Sequence, residues 1–223
     1  MLASGANSLN SPQPTGEVIL VRHGETVGQS SIRLYGHTDI ALSELGWQQM
    51  DKVGSLFAGQ NFQQIISSPL IRSQASAEMI RHHCSPLPKL VVIEGFREIN
   101  FGRWEGWTYE EAFIRDPENF AQLHQNQHEF CFPEGESKPQ FRTRVTQAIT
   151  QEVFPNNQRT LAILHKGIIK VIISALTGLH VDIASQLPVF LGSIYRLHYH
   201  ENGWHLHTRN EVTHLGTTLI EDK

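Results

Sequence analysis

Arg22 and His23, followed by Gly24-Glu25-Thr26, are the residues of this 223-residue chain that point most directly to chemistry. An arginine beside a histidine suits a phosphate group. The guanidinium supplies charge and paired donors, and the imidazole supplies a nitrogen that can attack phosphorus. Three further residues fall at equivalent places: Arg72 in Ser67-Ser68-Pro69-Leu70-Ile71-Arg72, Glu98 in Glu94-Gly95-Phe96-Arg97-Glu98, and His165 after Leu161-Ala162-Ile163-Leu164.

These residues need elements to bring them together. Val18-Ile19-Leu20-Val21 reads as a buried strand, which puts Arg22 and His23 at its carboxyl end. Ser43 caps a helix running to about Phe57. Phe62 to Ser67 and Leu90 to Ile93 read as strands, with a helix between them that carries Pro69 in its first turn and ends near His83. Thr108 caps a short helix over Tyr109 to Arg115, and Pro117 starts another. Ser137 and Gln140 make a capping box for a helix ending near Phe154. Arg159 to Leu164 is a strand, and Gly167 to Leu176 an apolar helix with Gly178 at its end. A hairpin over Ile194 to Thr208 turns at Asn202-Gly203.

Strands alternating with helices imply an α/β fold of three layers, α/β/α, around a mixed, mostly parallel sheet. The hairpin gives the sheet an antiparallel edge strand. In such sheets ligands bind at the carboxyl ends of the strands, where each candidate residue falls. The segment from about residue 95 to 136 interrupts the alternation and reads as a small cap over the strand ends. One domain over residues 17–223 is expected, preceded by a mobile tail over 1–16.

With 39% hydrophobic and 18% charged residues, the chain suits a folded globular protein. A net charge of −4 gives no reason to expect nucleic acid or an anionic membrane as partner. Any phosphate site must therefore be a local concentration of positive charge. No apolar stretch is long enough to span a bilayer, and the first residues lack the pattern of a signal peptide. Cys84 and Cys131 have no metal-ligand spacing, and two reduced thiols in a cytoplasmic protein are expected. A homodimer is left open.

From about Glu17 to Leu215 the chain resembles the histidine phosphatase superfamily, which includes cofactor-dependent phosphoglycerate mutase. The likeness covers Arg22-His23-Gly24-Glu25-Thr26, Arg33, Gly36-His37-Thr38-Asp39, Leu42-Ser43 and Gly46. It continues through Ser67-Ser68-Pro69 with Arg72 and Ala75, Glu98 with Gly102 and Trp104-Glu105-Gly106, and Pro133-Glu134-Gly135-Glu136-Ser137. It closes on His165 with Gly167, Asn210 and His214-Leu215. The resemblance implies that His23 carries the phosphoryl group. Arg22 and Arg72 would keep His23 unprotonated and balance charge in the transition state. His165 would donate to the same phosphoryl oxygens. Glu98 would protonate the leaving alcohol and then take a proton from water. Glu25, Glu94 and Glu105 are rival carboxylates for that last role. The resemblance implies neither a metal nor another cofactor.

The sequence departs from the family at three places. Gln29 stands where Asn is frequent. Lys166 stands between His165 and Gly167 where small residues are usual, so its amine lies over the phosphate or points into solvent. Lys170 replaces a frequent Arg. Gln29, Thr38, Tyr109 and Lys166 are the expected substrate-binding residues. The stretch between Gly106 and Pro133 is short beside the shielding insertion of the mutases, and Phe101 to Gly106 looks like the phosphatase branch. A metal-independent phosphatase acting on a small phosphorylated metabolite is the expected function. Three other readings stay open: mutase-type transfer, a protein phosphatase, and an inactive module that binds phosphorylated ligands. Separately, the hairpin places His198, His200, His205 and His207 on one face, where imidazoles would suit a weak surface metal site.

Overall fold

The computed structural model describes residues 13–150 and 152–217. β1 (Gly16–Arg22) leads to α1 (Glu44–Leu56), β2 (Gln64–Ser67), α2 (Ile71–His83) and β3 (Lys89–Val92). Two 3₁₀ turns precede α3 (Tyr109–Arg115) and α4 (Pro117–Gln125). Then follow α5 (Lys138–Ala148), β4 (Arg159–Leu164), α6 (Lys166–Thr177), α7 (Val181–Ser185), β5 (Ile194–His200) and β6 (Gly203–Glu211). The strands form one sheet in the order β3-β2-β4-β1-β5-β6. β1, β2, β3 and β4 pair in parallel, β5 runs against β1, and β6 runs against β5 at the edge.

Alternation along β1 explains the three layers. Val18 and Leu20 enter one core with Phe96, Val145, Ile168 and Ile172, under α5 and α6. Ile19 and Val21 enter the opposite core with Met50, Val53, Ala77 and Ile80, under α1 and α2. All four β1 residues are fully buried, each worth about 1.5–3 kcal/mol in transfer from water. Both faces of the sheet are covered at its centre, so β1 and β4 read as unbroken apolar runs.

Caps fix the helix starts. Ser43 Oγ accepts from Gly46 N–H, and Thr108 and Ser137 each form a capping box. Pro69 lies just before the α2 cap residue Leu70 rather than in the helix. α5 stops at Ala148, short of the expected Phe154. Residues 1–12 of the expected tail lie outside the described residues, and its last residue, Gly16, opens β1.

The segment after β3 packs around Trp104. That ring is fully buried and meets Phe120, Phe130 and Phe132 at centroid distances of 5.6–6.1 Å. Its indole N–H donates to Asp116 (2.9 Å).

The hairpin register differs from expectation. β5 and β6 pair His198 with His205, Tyr199 with Trp204 and His200 with Gly203. A turn on Asn202-Gly203 needs positive φ at both residues. Asn202 does not take one; Gly203 does (φ +114°) but already pairs with His200 as the first residue of β6, which leaves Glu201-Asn202 as the turn. The slip moves one strand by two positions against the other, and side chains alternate with period two, so the faces survive. The four histidines do share a face: His198 and His207 stack at 4.2 Å, and His200 lies 5.8 Å from His205. Stacked rings do not aim their nitrogens at a common point. Among the described residues no group of three or more metal-ligating side chains is placed to hold an ion.

Candidate active site

Strand register assembles the site. Arg22 of β1 pairs with Leu164 of β4, and Ser67 of β2 pairs with Ile163. The next residues, His23, His165 and Ser68, therefore emerge side by side at three adjacent carboxyl ends. The His23 N–H extends the ladder by donating to Leu164 C=O (3.0 Å). The two imidazoles end 5.0 Å apart, edge to face, and both are buried.

His23 Nδ1 lies 2.7 Å from Gly24 C=O. A carbonyl only accepts, so Nδ1 carries the hydrogen and Nε2 keeps its lone pair. Burial holds the His23 pKa well below the usual histidine range, and the charges of Arg72 and Arg22 push it the same way. The ring is neutral near neutrality, with the Nε2 lone pair free. His165 is shifted down by the same causes, burial first. Its Nε2 lies 2.7 Å from Ser68 Oγ, which also accepts from Leu70 N–H. The Ser68 hydroxyl hydrogen is thus available to Nε2. In that tautomer Nδ1 carries a hydrogen, and Nδ1 is a buried atom with no partner. With the Ser68 hydroxyl donating to Nε2, His165 is a donor through Nδ1.

The arginines are held by carbonyls. Arg22 donates to Val189 (2.7 Å) and Ser30 (3.2 Å). Arg72 donates to Tyr35 (2.9 Å), Gly36 (2.8 Å) and Thr38 (2.9 Å). Those three bonds leave two of about five guanidinium N–H groups for a ligand. Burial lowers the Arg72 pKa to about 10, still a cation at neutrality.

Glu98 is buried, and its carboxylate accepts Ile99 N–H on one oxygen and Gly167 N–H on the other (2.9 Å each). Burial raises its pKa, while those two bonds and the charges of Arg72 and Arg22 oppose the rise. A carboxyl with a raised pKa, on the wall of the cavity that His23 also lines, can store a proton. The rival carboxylates are committed elsewhere. Glu105 accepts the N–H groups of Gly36, His37, Thr38 and Phe101 together with the Thr38 hydroxyl. Glu25 accepts Thr26 N–H and the Ser30 hydroxyl, tying the loop after β1. Glu94 is exposed and pairs with Arg97.

A cavity of about 960 Å³ opens over these groups. Arg22, His23, Glu98 and His165 line it, while Arg72 sits just behind, within charge reach of His23 and Glu98. Tyr109 and Lys166 line it as expected. The Tyr109 ring is half exposed at the mouth, yet burial and the Glu98 charge raise the pKa of its hydroxyl. Two expected binding residues are not on the wall. Gln29 is exposed, with φ +61°, and is not among the residues that line the cavity. The Thr38 hydroxyl donates to Glu105 at 2.6 Å and so holds the loop that Arg72 grips. Glu105 and Ser68 are the positioning residues that reading single motifs missed. Both stand inside quoted motifs, but their partners are set by tertiary contacts.

No helix among the described residues is long and apolar enough to cross a membrane. Residues 18–212 match the family model of the histidine phosphatase superfamily, branch 1. The chain is 29% identical over 212 residues to a protein of Erwinia tasmaniensis named probable phosphoglycerate mutase GpmB, covering 92% of this chain and 98% of that one. A phosphoserine phosphatase from Entamoeba histolytica, 28% identical, superposes with a TM-score of 0.75 over 90% of this chain and 99% of that one. The alpha-ribazole phosphatase from Shigella flexneri shares the fold at 22% identity, with a TM-score of 0.79 over 87% and 96% of the two chains. With the family model spanning nearly all of the described fold, this chain belongs to the histidine phosphatase superfamily and is an enzyme of its phosphatase type.

Proposed function

We propose that the protein hydrolyses phosphate monoesters of small molecules through a phosphohistidine on His23, with no metal in the reaction. The observation that carries this is the His23 ring: buried, held in one tautomer by Gly24 C=O, and kept neutral beside Arg22 and Arg72. His23 Nε2 attacks phosphorus while the ester P–O bond breaks. Glu98 gives its proton to the departing oxygen. Arg22, Arg72 and His165 hold the equatorial oxygens as charge builds on them. Water then attacks the phosphoryl group, Glu98 takes one of its protons, the P–N bond breaks and phosphate leaves. Lys166, on the first turn of α6, and Tyr109, at the mouth, are the proposed substrate contacts.

Hydrolysis is favoured over mutase transfer by the wide cavity, which lets water reach the phosphoenzyme. The relative from Erwinia tasmaniensis, named as a mutase, keeps the second reading in view. One experiment separates them. A panel of phosphate monoesters is turned over in ¹⁸O-labelled water with EDTA present. Hydrolysis predicts inorganic phosphate carrying one labelled oxygen. Unlabelled phosphoryl groups moved to a second hydroxyl would mean a mutase, and loss of turnover in EDTA would overturn the metal-free reading.

A further inference from the structure

The cavity extends well past the phosphate groups, between α5, α6 and α7. Its walls along α6 and α7 carry the apolar side chains Val171, Ala175, Val181 and Ala184, while Phe141 stands nearer the chemistry, beside Gly167 and Glu98. Its charge is one-sided: six Lys or Arg side chains line it against the two carboxylates Glu98 and Glu110. In a protein of net charge −4 this is a local concentration of cations. Two of the six are already paired, Arg33 with Glu111 and Arg142 with Glu129.

Lys138 differs from these. It stands at the start of α5, half-buried on the cavity wall, and its amine has no hydrogen-bond or ion-pair partner among the described residues. Desolvation and the neighbouring Arg142 lower its pKa to about 8, so near neutrality it is a partly desolvated cation with no ion-pair partner among the described residues. An unpaired, partly desolvated charge is costly unless a ligand neutralises it. Lys170 lines the same cavity. Burial and then the charge of Lys166 lower its pKa to about 8, the charges of Glu98, Arg22 and Lys138 also reach it, and its amine donates to Ser185 C=O (2.6 Å).

The geometry points to a second anion subsite at Lys138 and Lys170, so that the substrate is an elongated phosphate monoester with an apolar middle and a carboxylate or second phosphate at its far end. This rests on the phosphatase reading and adds the substrate class to it. A cavity of about 960 Å³ is the size that holds a drug-sized ligand, far beyond the need of a three-carbon phospho acid. The aromatic and aliphatic walls suit the middle of such a molecule, and the lysines its remote charge.

The test uses three series of substrates with chains from propyl to octyl: alkyl phosphates, ω-carboxyalkyl phosphates and α,ω-alkane bisphosphates. Para-nitrophenyl phosphate serves as the control. At one of the longer chain lengths an anionic series should exceed the alkyl series in kcat/KM by about tenfold or more. Whether the carboxylates or the bisphosphates gain identifies the anion. Lys138→Gln should collapse that ratio, and Lys138→Arg should keep most of it. Equal kcat/KM for charged and uncharged series at every length would overturn the subsite, as would a preference undiminished in Lys138→Gln. If the control itself is not hydrolysed, the phosphatase reading fails, and the subsite falls with it.

Discussion

At the residue scale, the site works by pushing titratable groups apart. Burial, aided by Arg72 and Arg22, makes His23 harder to protonate, while burial makes Glu98 easier to protonate. The proposed reaction needs a neutral His23 and a protonated Glu98. The rate should therefore fall on the acid side as His23 takes up a proton, well below the usual histidine value. It should fall on the alkaline side as Glu98 loses its proton, above the usual carboxyl value of 4.5. A bound phosphate dianion moves that second limb upward. Glu98→Gln should lower kcat/KM for alkyl phosphates by about 100-fold or more. Formation of the phosphoenzyme from para-nitrophenyl phosphate, whose leaving group needs no proton, should lose much less. Equal losses in the two, measured by rapid quench, would remove Glu98 as the acid. Gly167 shows how tightly this group is held, since a Cβ added there would meet Glu98 Oε1 at 2.5 Å.

At the element scale, the features legible in the sequence were those governed by local chemistry. Thr108 with Glu111, and Ser137 with Gln140, set helix starts through bonds spanning three residues, and both capping boxes form. The run Arg159 to Leu164 is fully apolar at its core because both sheet faces are covered, and it is a strand over that span. Features set by distant partners were not legible. The bond from the Thr38 hydroxyl to Glu105 spans 67 residues, so no local pattern announces it. The left-handed backbone at Gln29 likewise has no local signal. The five-residue α7, which closes the far end of the cavity, lacked a strong start signal: its N-cap is His180, an unusual capping residue. The hairpin face survived an error in register only because the slip was even.

At the scale of the whole molecule, building the site has a cost in stability that pH should reveal. His23 and His165 are buried and neutral, with pKa values well below 6.5, whereas the unfolded chain protonates each near 6.5. Their contribution to stability is therefore complete above pH 6.5 and is lost as pH falls toward the folded values. The slope is on the order of 1 kcal/mol per pH unit for each ring. In phosphate-free buffer, Tm should drop between pH 7.5 and 5.5, and a His23→Asn, His165→Asn double variant should drop less. Parallel curves would mean that the two rings titrate alike in the folded and unfolded chains.

The most direct measurement is of the covalent intermediate itself. The protein is mixed with para-nitrophenyl phosphate, quenched within milliseconds in base to preserve P–N bonds, digested and analysed by mass spectrometry. The peptide holding His23 should gain one phosphoryl group, its amount should decay as phosphate is released, and His23→Ala should show neither. Phosphate released at the parent rate with the His23 peptide unmodified, or a phosphoryl group carried on any other residue, would contradict the account.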